Sequence, residues 1–128
     1  MKKGTKIYSI IYNRCPRCHL SMFWKYNNPY KNIIQSNHDN LGRCKKCNLK
    51  FEIEPGFFFG AMYVSYAISV FISLLMWLIF EYFFSELELF YLICFVALFL
   101  FFSSPVTYFV SRLIWINIFI NYDSRYIK

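Results

Sequence analysis

Two long, uncharged, apolar segments dominate the pattern of hydrophobic and polar positions along the chain. The first extends from Phe57 to Phe80 and the second from Leu89 to Ser111. Each exceeds the roughly 20 apolar residues that a helix needs to cross the hydrocarbon core of a bilayer. So short a chain has no further elements that could bury two helices apolar on every side. The pattern therefore predicts two transmembrane helices, at about 60–80 and 89–110, joined by a short turn.

The pattern before residue 57 is more polar and gives weaker signals. Isoleucines within residues 7–11 have the spacing of one helix face and suit a short helix at a membrane surface, although so short a segment also permits a strand. Residues 25–43 are rich in Asn, with a Pro and a Gly, and indicate a loop. Residues 49–54 alternate strictly between apolar and charged side chains, which predicts a half-buried strand that ends at Pro55-Gly56.

A proline interrupts the second apolar segment. Pro105 has no N–H to donate to the carbonyl of Phe101, so we expect a kink at this point. Flanking serine hydroxyls can satisfy the freed carbonyl.

Beyond Arg112 the polar residues recur at helical spacing, which predicts an amphipathic C-terminal helix at the membrane surface. Trp115 and Tyr122 would anchor this helix at the interface. Its polar stripe would comprise Asn117, Asn121, Ser124 and Lys128.

Charge is distributed unevenly and predicts the orientation of the spans. Residues 1–56 contain 11 of the 14 Lys and Arg and three acids, whereas the turn from Glu81 to Glu88 contains three acids and no base. Basic loops stay on the cytoplasmic side, so both termini are expected in the cytoplasm. The first 20 residues have no apolar core, so we expect no cleaved signal peptide. This topology accounts for most of the net charge of +7.

Two CxxC pairs are the strongest chemical signal. Each pair places two thiolates on one tight turn, and two such turns complete a closed tetrahedral site with four sulfur ligands. Zinc in a structural role is favoured, with iron in a rubredoxin-like site as the alternative metal. Nearby Arg17, Lys45 and Lys46 would offset the negative charge of such a centre. The predicted ligands are Cys15, Cys18, Cys44 and Cys47.

The residues that follow the two pairs fit the same geometry. His19 and Asn48 occupy positions that often require a positive φ, and both residue types tolerate it better than most. His19 and His38 could also replace a thiolate, but with four cysteines they are expected to be spare surface residues. Cys94 lies in the second apolar segment and is expected to be a small apolar residue.

Two other uses of the cysteines are less favoured. Stable disulfides are rare in the reducing cytoplasm. A thioredoxin-like redox pair would begin a helix within a βαβ unit, and the sequence predicts none. Zinc would also supply folding energy to residues 1–56, which have few apolar side chains for a core.

The motifs "CPRCH", "CKKCN", "FEIEPGFFFGAMYVSYAISV" and "SSPVTYFVSRLIWINIFINYD" together resemble a family of small bacterial membrane proteins, domain of unknown function 983, in its Bacteroidetes form. The resemblance covers about residues 7–123. It differs from the commoner family pattern at His19 and Asn48, where Gly is frequent. The resemblance implies the bacterial inner membrane and, because some relatives are encoded beside terminal-oxidase assembly factors, a link to the maturation of a respiratory complex.

The expected fold is a small membrane protein with a cytoplasmic zinc-ribbon-like module (1–56), a two-helix transmembrane hairpin and an amphipathic tail (57–128). We expect no enzyme, because no catalytic motif, small-molecule site or intramembrane carboxylate pair is present. The leading hypothesis is a binding or assembly module that contacts the lipid bilayer and a membrane-protein partner. The alternatives are delivery of metal or redox equivalents at the membrane and, less favoured, nucleic-acid binding. Docking residues would be Phe23, Trp24, Tyr26 and Tyr30.

Overall fold

A computed structural model describes residues 4–34, 42–86 and 88–126 of the chain. Two short helices, α1 (Lys6–Ile11) and α2 (Pro29–Ile34), precede two long ones, α3 (Phe59–Phe84) and α4 (Leu89–Phe119). A 3-10 turn, Ser124–Tyr126, lies in the tail. Predicted positions His38 and Lys128 fall outside the described residues.

The long helices α3 and α4 are both long and apolar enough to cross a membrane, as the two uncharged segments predicted. At about 1.5 Å per residue they extend for roughly 39 and 46 Å, more than the ~30 Å of a hydrocarbon core. The connection between them is so short that they pack against each other in antiparallel directions. Most of their large apolar side chains are exposed, so each helix has surface left over for another apolar environment.

Exposure changes abruptly along α4. From Leu89 to Val106 the only buried residue is Leu92, and this part of α4 is about 27 Å long. From Thr107 onward α4 has a buried face, and Leu113 and Ile116 are completely buried. The helix therefore has two parts: an exposed apolar part that matches a bilayer core in length, and a final part that is enclosed by other residues of the chain. The buried residues of the final part are Thr107, Phe109, Ser111, Leu113, Ile116 and Asn117.

The prediction of an amphipathic tail helix is therefore wrong about how this segment packs and where the helix ends. The helical period after Arg112 is real, but it belongs to α4, which continues without interruption to Phe119. Asn117, assigned to a polar outer stripe, is buried and donates hydrogen bonds to the Ser9 hydroxyl and the Leu113 carbonyl. The helical spacing of polar residues could not show that residues from the cysteine-bearing segment would pack against the apolar side of this helix.

The core next to the final part of α4 is formed by residues from both sides of the boundary at residue 56. Its buried members from before this boundary are Cys15, Cys18, Cys44, Phe23, Trp24 and Phe51, and the partly buried Cys47 packs against them. Trp24 stacks on Phe109, with ring centroids 5.6 Å apart, and its indole N–H donates to the Phe109 carbonyl at 3.3 Å. The packing thus joins the cysteine-bearing segment to α4 in one core. The members contributed by α3, α4 and the residue before α3 are Phe58, Ala61, Phe109, Leu113 and Ile116.

Several local predictions need correction. The segment predicted as a loop contains α2, whose Tyr30 hydroxyl donates to the Phe102 carbonyl of α4 at 2.6 Å. In the described residues, the predicted strand at 49–54 is reduced to one bridge between Arg43 and Lys50. Phe51 is buried against Phe23, with ring centroids 4.8 Å apart, whereas Ile53 is exposed. For the segment around residues 7–11, the helix prediction is confirmed.

Two of the four proposed docking aromatics are not available for docking. Phe23 and Trp24 are buried in the shared core, at 2% and 5% exposure. Aromatic content alone could not distinguish a docking surface from a core, because large rings suit both.

Pro105 lies inside α4, which continues through it. The Ser104 hydroxyl donates to the Phe101 carbonyl at 2.8 Å, and this is the carbonyl that Pro105 cannot serve. The predicted role of a flanking serine is confirmed, while the kink stays a prediction.

Gly60 lies against Trp115, where the start of α3 contacts the end of α4. A Cβ at Gly60 would overlap the indole ring of Trp115, whose N–H donates to the Phe57 carbonyl at 2.8 Å. Trp115, predicted to be an interfacial anchor, therefore closes the joint between the helices. Only a residue without a side chain fits beneath the indole.

We predict that Gly60→Ala will lower the free energy of unfolding by about 1–3 kcal/mol, because the added methyl group displaces Trp115 from a packed site. Chemical denaturation in detergent, followed by near-ultraviolet circular dichroism, measures the change. Trp115→Phe should be less sensitive to the added methyl group, so the double variant should be less destabilised than the two single changes predict. Strict additivity would show that the ring overlap does not determine the effect.

Candidate metal centre

Each CxxC pair lies in a tight turn, or knuckle, that is closed by backbone hydrogen bonds. In the first knuckle the Cys15 N–H donates to the Ser21 carbonyl at 2.8 Å and the His19 N–H donates to the Cys15 carbonyl at 3.0 Å. In the second knuckle the Cys44 N–H donates to the Leu49 carbonyl and the Asn48 N–H to the Cys44 carbonyl, both at 2.9 Å. The same turn conformation therefore occurs twice, and each turn places its two sulfurs on one side.

The residue after each pair has the positive φ that the sequence predicted. φ is 54° at His19 and 56° at Asn48. This left-handed conformation ends each turn and reverses the backbone, so that the residues after the pair lie beside the first cysteine. Side chains with a Cβ are strained there, and Asn tolerates the strain better than most residues.

The four predicted ligands come together at one point. All four sulfur atoms lie within 4.8 Å of one another. Cys15 Sγ is 3.8 Å from Cys47 Sγ, and Cys18 Sγ is 3.6 Å from Cys44 Sγ, so these two contacts bridge the two knuckles. In a tetrahedral site with metal–sulfur distances of about 2.3 Å, neighbouring sulfurs lie about 3.8 Å apart. The sulfurs therefore fit a four-coordinate metal ion with little rearrangement.

Burial and hydrogen bonding act differently on the individual thiols. Burial raises the pKa of Cys15 above the range of solution thiols, and burial also raises the pKa of Cys47, to about 11. Burial also acts to raise the pKa of Cys44, but hydrogen bonds to its sulfur outweigh this effect and lower the pKa to about 6. The larger contribution comes from the Cys47 backbone N–H and the next from the Ser21 hydroxyl. At Cys15 and Cys47, burial and, to a smaller extent, the nearby sulfur charges thus oppose ionisation of the thiol. A divalent ion would supply the compensating charge and displace the remaining protons.

Ser21 is a functional candidate that the sequence did not reveal. Its hydroxyl lies 2.8 Å from Cys44 Sγ, so a residue of the first knuckle contacts a ligand of the second. Such a contact orients a ligand and adjusts its basicity. Nothing in the spacing of the cysteines points to Ser21, because the contact exists only once the knuckles are apposed.

His19 is not the surface residue that was expected. It is buried at 7% exposure, Gly4 N–H donates to its Nδ1 at 3.3 Å, and its ring packs between Tyr8 and Tyr122. Tyr122, predicted to be an interface anchor, therefore packs on the first knuckle. Its position explains why this residue follows the CxxC pair without serving as a ligand: the imidazole holds α1 and the tail together.

The C-terminal tail covers the first knuckle. The Asp123 N–H donates to the Arg17 carbonyl at 3.0 Å. The Arg17 guanidinium lies 3.3 Å from the centroid of the Tyr126 ring, a cation–π contact. The cysteine cluster thus packs against α4, and the tail covers its first knuckle.

All five cysteines are free. Cys94 lies on an exposed face of α4, apart from the cluster. No family model, no curated protein and no solved structure matches this chain, so the interpretation of the site depends on its own residues and geometry.

We predict that the purified protein binds one metal ion per chain and that Cys44→Ser abolishes this stoichiometry. Structural zinc sites contribute on the order of 10–16 kcal/mol to folding, so the variant should also lose near-ultraviolet dichroism from Trp24 and Phe23. Far-ultraviolet dichroism should change little, because α3 and α4 contain most of the helix. Metal analysis and both spectra measure these effects. Cys94→Ser is the matched control and should behave as wild type; equal metal content in both variants would contradict the assignment.

We predict that Asn48→Gly keeps or raises resistance to chelator, whereas Asn48→Ala lowers stability by about 1 kcal/mol. The cause is the positive φ of 56°, which glycine adopts freely and alanine does not. Asn48 is exposed, so neither change disturbs a core. The midpoint of metal loss to a chelator measures the difference, and a greater loss in the glycine variant would contradict this reasoning.

Proposed function

We propose that this protein is a two-span protein of the bacterial inner membrane that holds structural zinc in a zinc-ribbon-like module and uses that module to bind a membrane-protein partner during assembly of a larger complex. The supporting observation is the single core in which the cysteine knuckles pack on the final part of α4. A module fixed in this way is presented at a constant height above the bilayer. Membership of the domain of unknown function 983 family is part of this proposal.

The distribution of exposed apolar surface supports the membrane assignment. The exposed part of α4, from Leu89 to Val106, is about 27 Å long, close to the thickness of a hydrocarbon core. The adjacent part of α3 is similarly exposed and carries no charge until Glu81. In water this surface would be costly, whereas lipid chains would cover it without further protein.

The charges at the two ends of the helix pair support an orientation with both termini in the cytoplasm. Glu81, Glu86 and Glu88 lie at the turn between α3 and α4. The basic residues of the chain are concentrated in the segment that packs at the opposite end. Positive charge is retained on the cytoplasmic side, so the cysteine module would lie there.

Burial of the cysteines favours a structural site over delivery of metal. Cys15 and Cys18 are 0% exposed and Cys44 is 2% exposed, so a receiving protein could reach only the partly exposed Cys47. Transfer requires ligands that an acceptor can approach, whereas a structural site is closed. Zinc is preferred because four thiolates in a tetrahedral, closed arrangement are the usual structural zinc ligands.

The assembly role is tested by deleting the gene in the native host and measuring the activity and amount of the terminal oxidase. We expect both to fall at least several-fold and to recover with the wild-type gene and with Cys94→Ser. The Cys44→Ser variant should not restore them, because it lacks the folded module. Unchanged oxidase in the deletion strain would contradict a role in respiratory-complex assembly, and full recovery with Cys44→Ser would contradict the need for the metal centre.

A further inference from the structure

A groove of about 660 Å³ lies at the joint between α3 and α4. Its apolar side is formed by exposed residues of the first two turns of α3, including Phe59, Met62 and Tyr66. Its lining also includes two opposite charges, Glu52 and Arg112. A volume of this size is typical of sites for small molecules. The groove therefore combines exposed apolar side chains with one positive and one negative group.

The depth of this groove places it at the edge of the bilayer. Tyr108 and Arg112 lie just beyond Val106, where the exposed part of α4 ends. Side chains on a helix tilt toward its N-terminus, which for α4 is the direction of the membrane. Arg112 follows this rule, since its guanidinium lies 4.4 Å from the centroid of the Tyr108 ring, one turn back. The charge is thus held at the depth of lipid headgroups, about 5–7 Å thick on each side.

The two charges that line the groove do not neutralise each other. Arg112 contacts the aromatic rings of Tyr108 and Phe58, the latter at 4.9 Å from the ring centroid. Within residues 4–34, 42–86 and 88–126 its guanidinium forms no ion pair or hydrogen bond, and neither does the Glu52 carboxylate. Glu52 and Arg112 nevertheless line the same groove, so the two groups are neighbours there. Both groups therefore have hydrogen-bonding capacity left for a third molecule.

We propose that this groove binds one phospholipid with a zwitterionic, primary-amine headgroup, that is, a phosphatidylethanolamine. The Arg112 guanidinium contacts the phosphate, the Glu52 carboxylate accepts hydrogen bonds from the ammonium group, and the acyl region lies along Phe59, Met62 and Tyr66. The inference rests on the proposed membrane location. The bound lipid would act as part of the joint between the cysteine module and the spans.

The charge pattern distinguishes this lipid from other headgroups. An anionic headgroup without an amine would satisfy Arg112 but would meet the negative charge of Glu52. A choline headgroup balances the charges but has no N–H to donate to a carboxylate. The ethanolamine headgroup offers both a phosphate for a guanidinium and three N–H donors for a carboxylate, and such charge-assisted hydrogen bonds are the stronger kind.

The test is native mass spectrometry of the full-length, metal-loaded protein after exchange with equal amounts of phosphatidylethanolamine, phosphatidylcholine and phosphatidylglycerol that have identical acyl chains. Wild type should retain one phosphatidylethanolamine in about tenfold preference, the effect of one charge-assisted hydrogen-bonded contact. Equal retention of the three lipids would overturn the proposal. A dimer that survives without lipid and retains no lipid when lipid is added would also overturn it, since a second copy would then occupy the groove.

The variants separate the two contacts. Arg112→Gln should lower retention of all three lipids about tenfold, because each has a phosphate. Glu52→Gln should retain lipid but lose the preference for ethanolamine over choline. Glu54→Gln, a nearby exposed carboxylate that does not line the groove, and Arg125→Gln, an 86% exposed arginine in the tail, are the matched controls and should behave as wild type.

Metal content identifies a variant that has not folded. If Arg112→Gln loses its metal, the Glu52→Gln variant decides the proposal, and an unchanged ethanolamine preference in this exposed-site variant would overturn it. Failure of the proposed membrane location has a different signature. A protein that is absent from the membrane fraction would contradict the proposed function, whereas one that inserts without selecting a lipid contradicts only the lipid site.

Discussion

The structure depends on the packing of the cysteine knuckles against the final part of α4. Residues 1–56 contain too few apolar side chains to form a core alone, and they obtain one from Leu113 and Ile116, which are completely buried. α4 can supply this surface because its 31 residues are more than a bilayer core requires. The last turns of the helix therefore serve as the central element of the module. The positions of α1, α2 and the tail follow, since each packs on this helix or on the first knuckle.

The features predicted from sequence are those determined by neighbouring residues. Two apolar helices follow from uncharged runs, each CxxC turn places its own two sulfurs on one side because the turn is local, and His19 and Asn48 have positive φ because the turn requires it. That the two turns meet in one cluster was predicted from ligand chemistry, since a closed site needs four sulfurs. Features that depend on distant contacts were not predicted. Trp24 was assigned to a surface because its partner, Phe109, lies 85 residues away. Ser21 gave no signal, since its contact with Cys44 joins two separate turns.

The short joint from Glu52 to Gly60 has a geometric reason. Gly56, with a φ of 81°, turns the chain into α3, and Gly60 admits the indole of Trp115. The indole N–H then fixes the Phe57 carbonyl, so the start of α3 is held against the end of α4. A longer connection would not release the module, because Trp24 and Phe109 would still hold it to α4. The joint therefore sets how α3 enters the packing, while α4 determines where the module lies.

The continuity of α4 also restricts how the chain can change in length. One residue added between Leu89 and Val106 would rotate the final part of the helix by about 100° relative to the exposed part, since a turn contains about 3.6 residues. Leu113 and Ile116 would then face away from the knuckles while the exposed side chains kept their lipid-facing directions. Insertions or deletions compatible with both halves must come in near-whole turns of about three or four residues, or seven for two turns. The length of the exposed part of α4 therefore determines both the membrane thickness that the helix can span and the direction in which Leu113 and Ile116 face the cysteine knuckles.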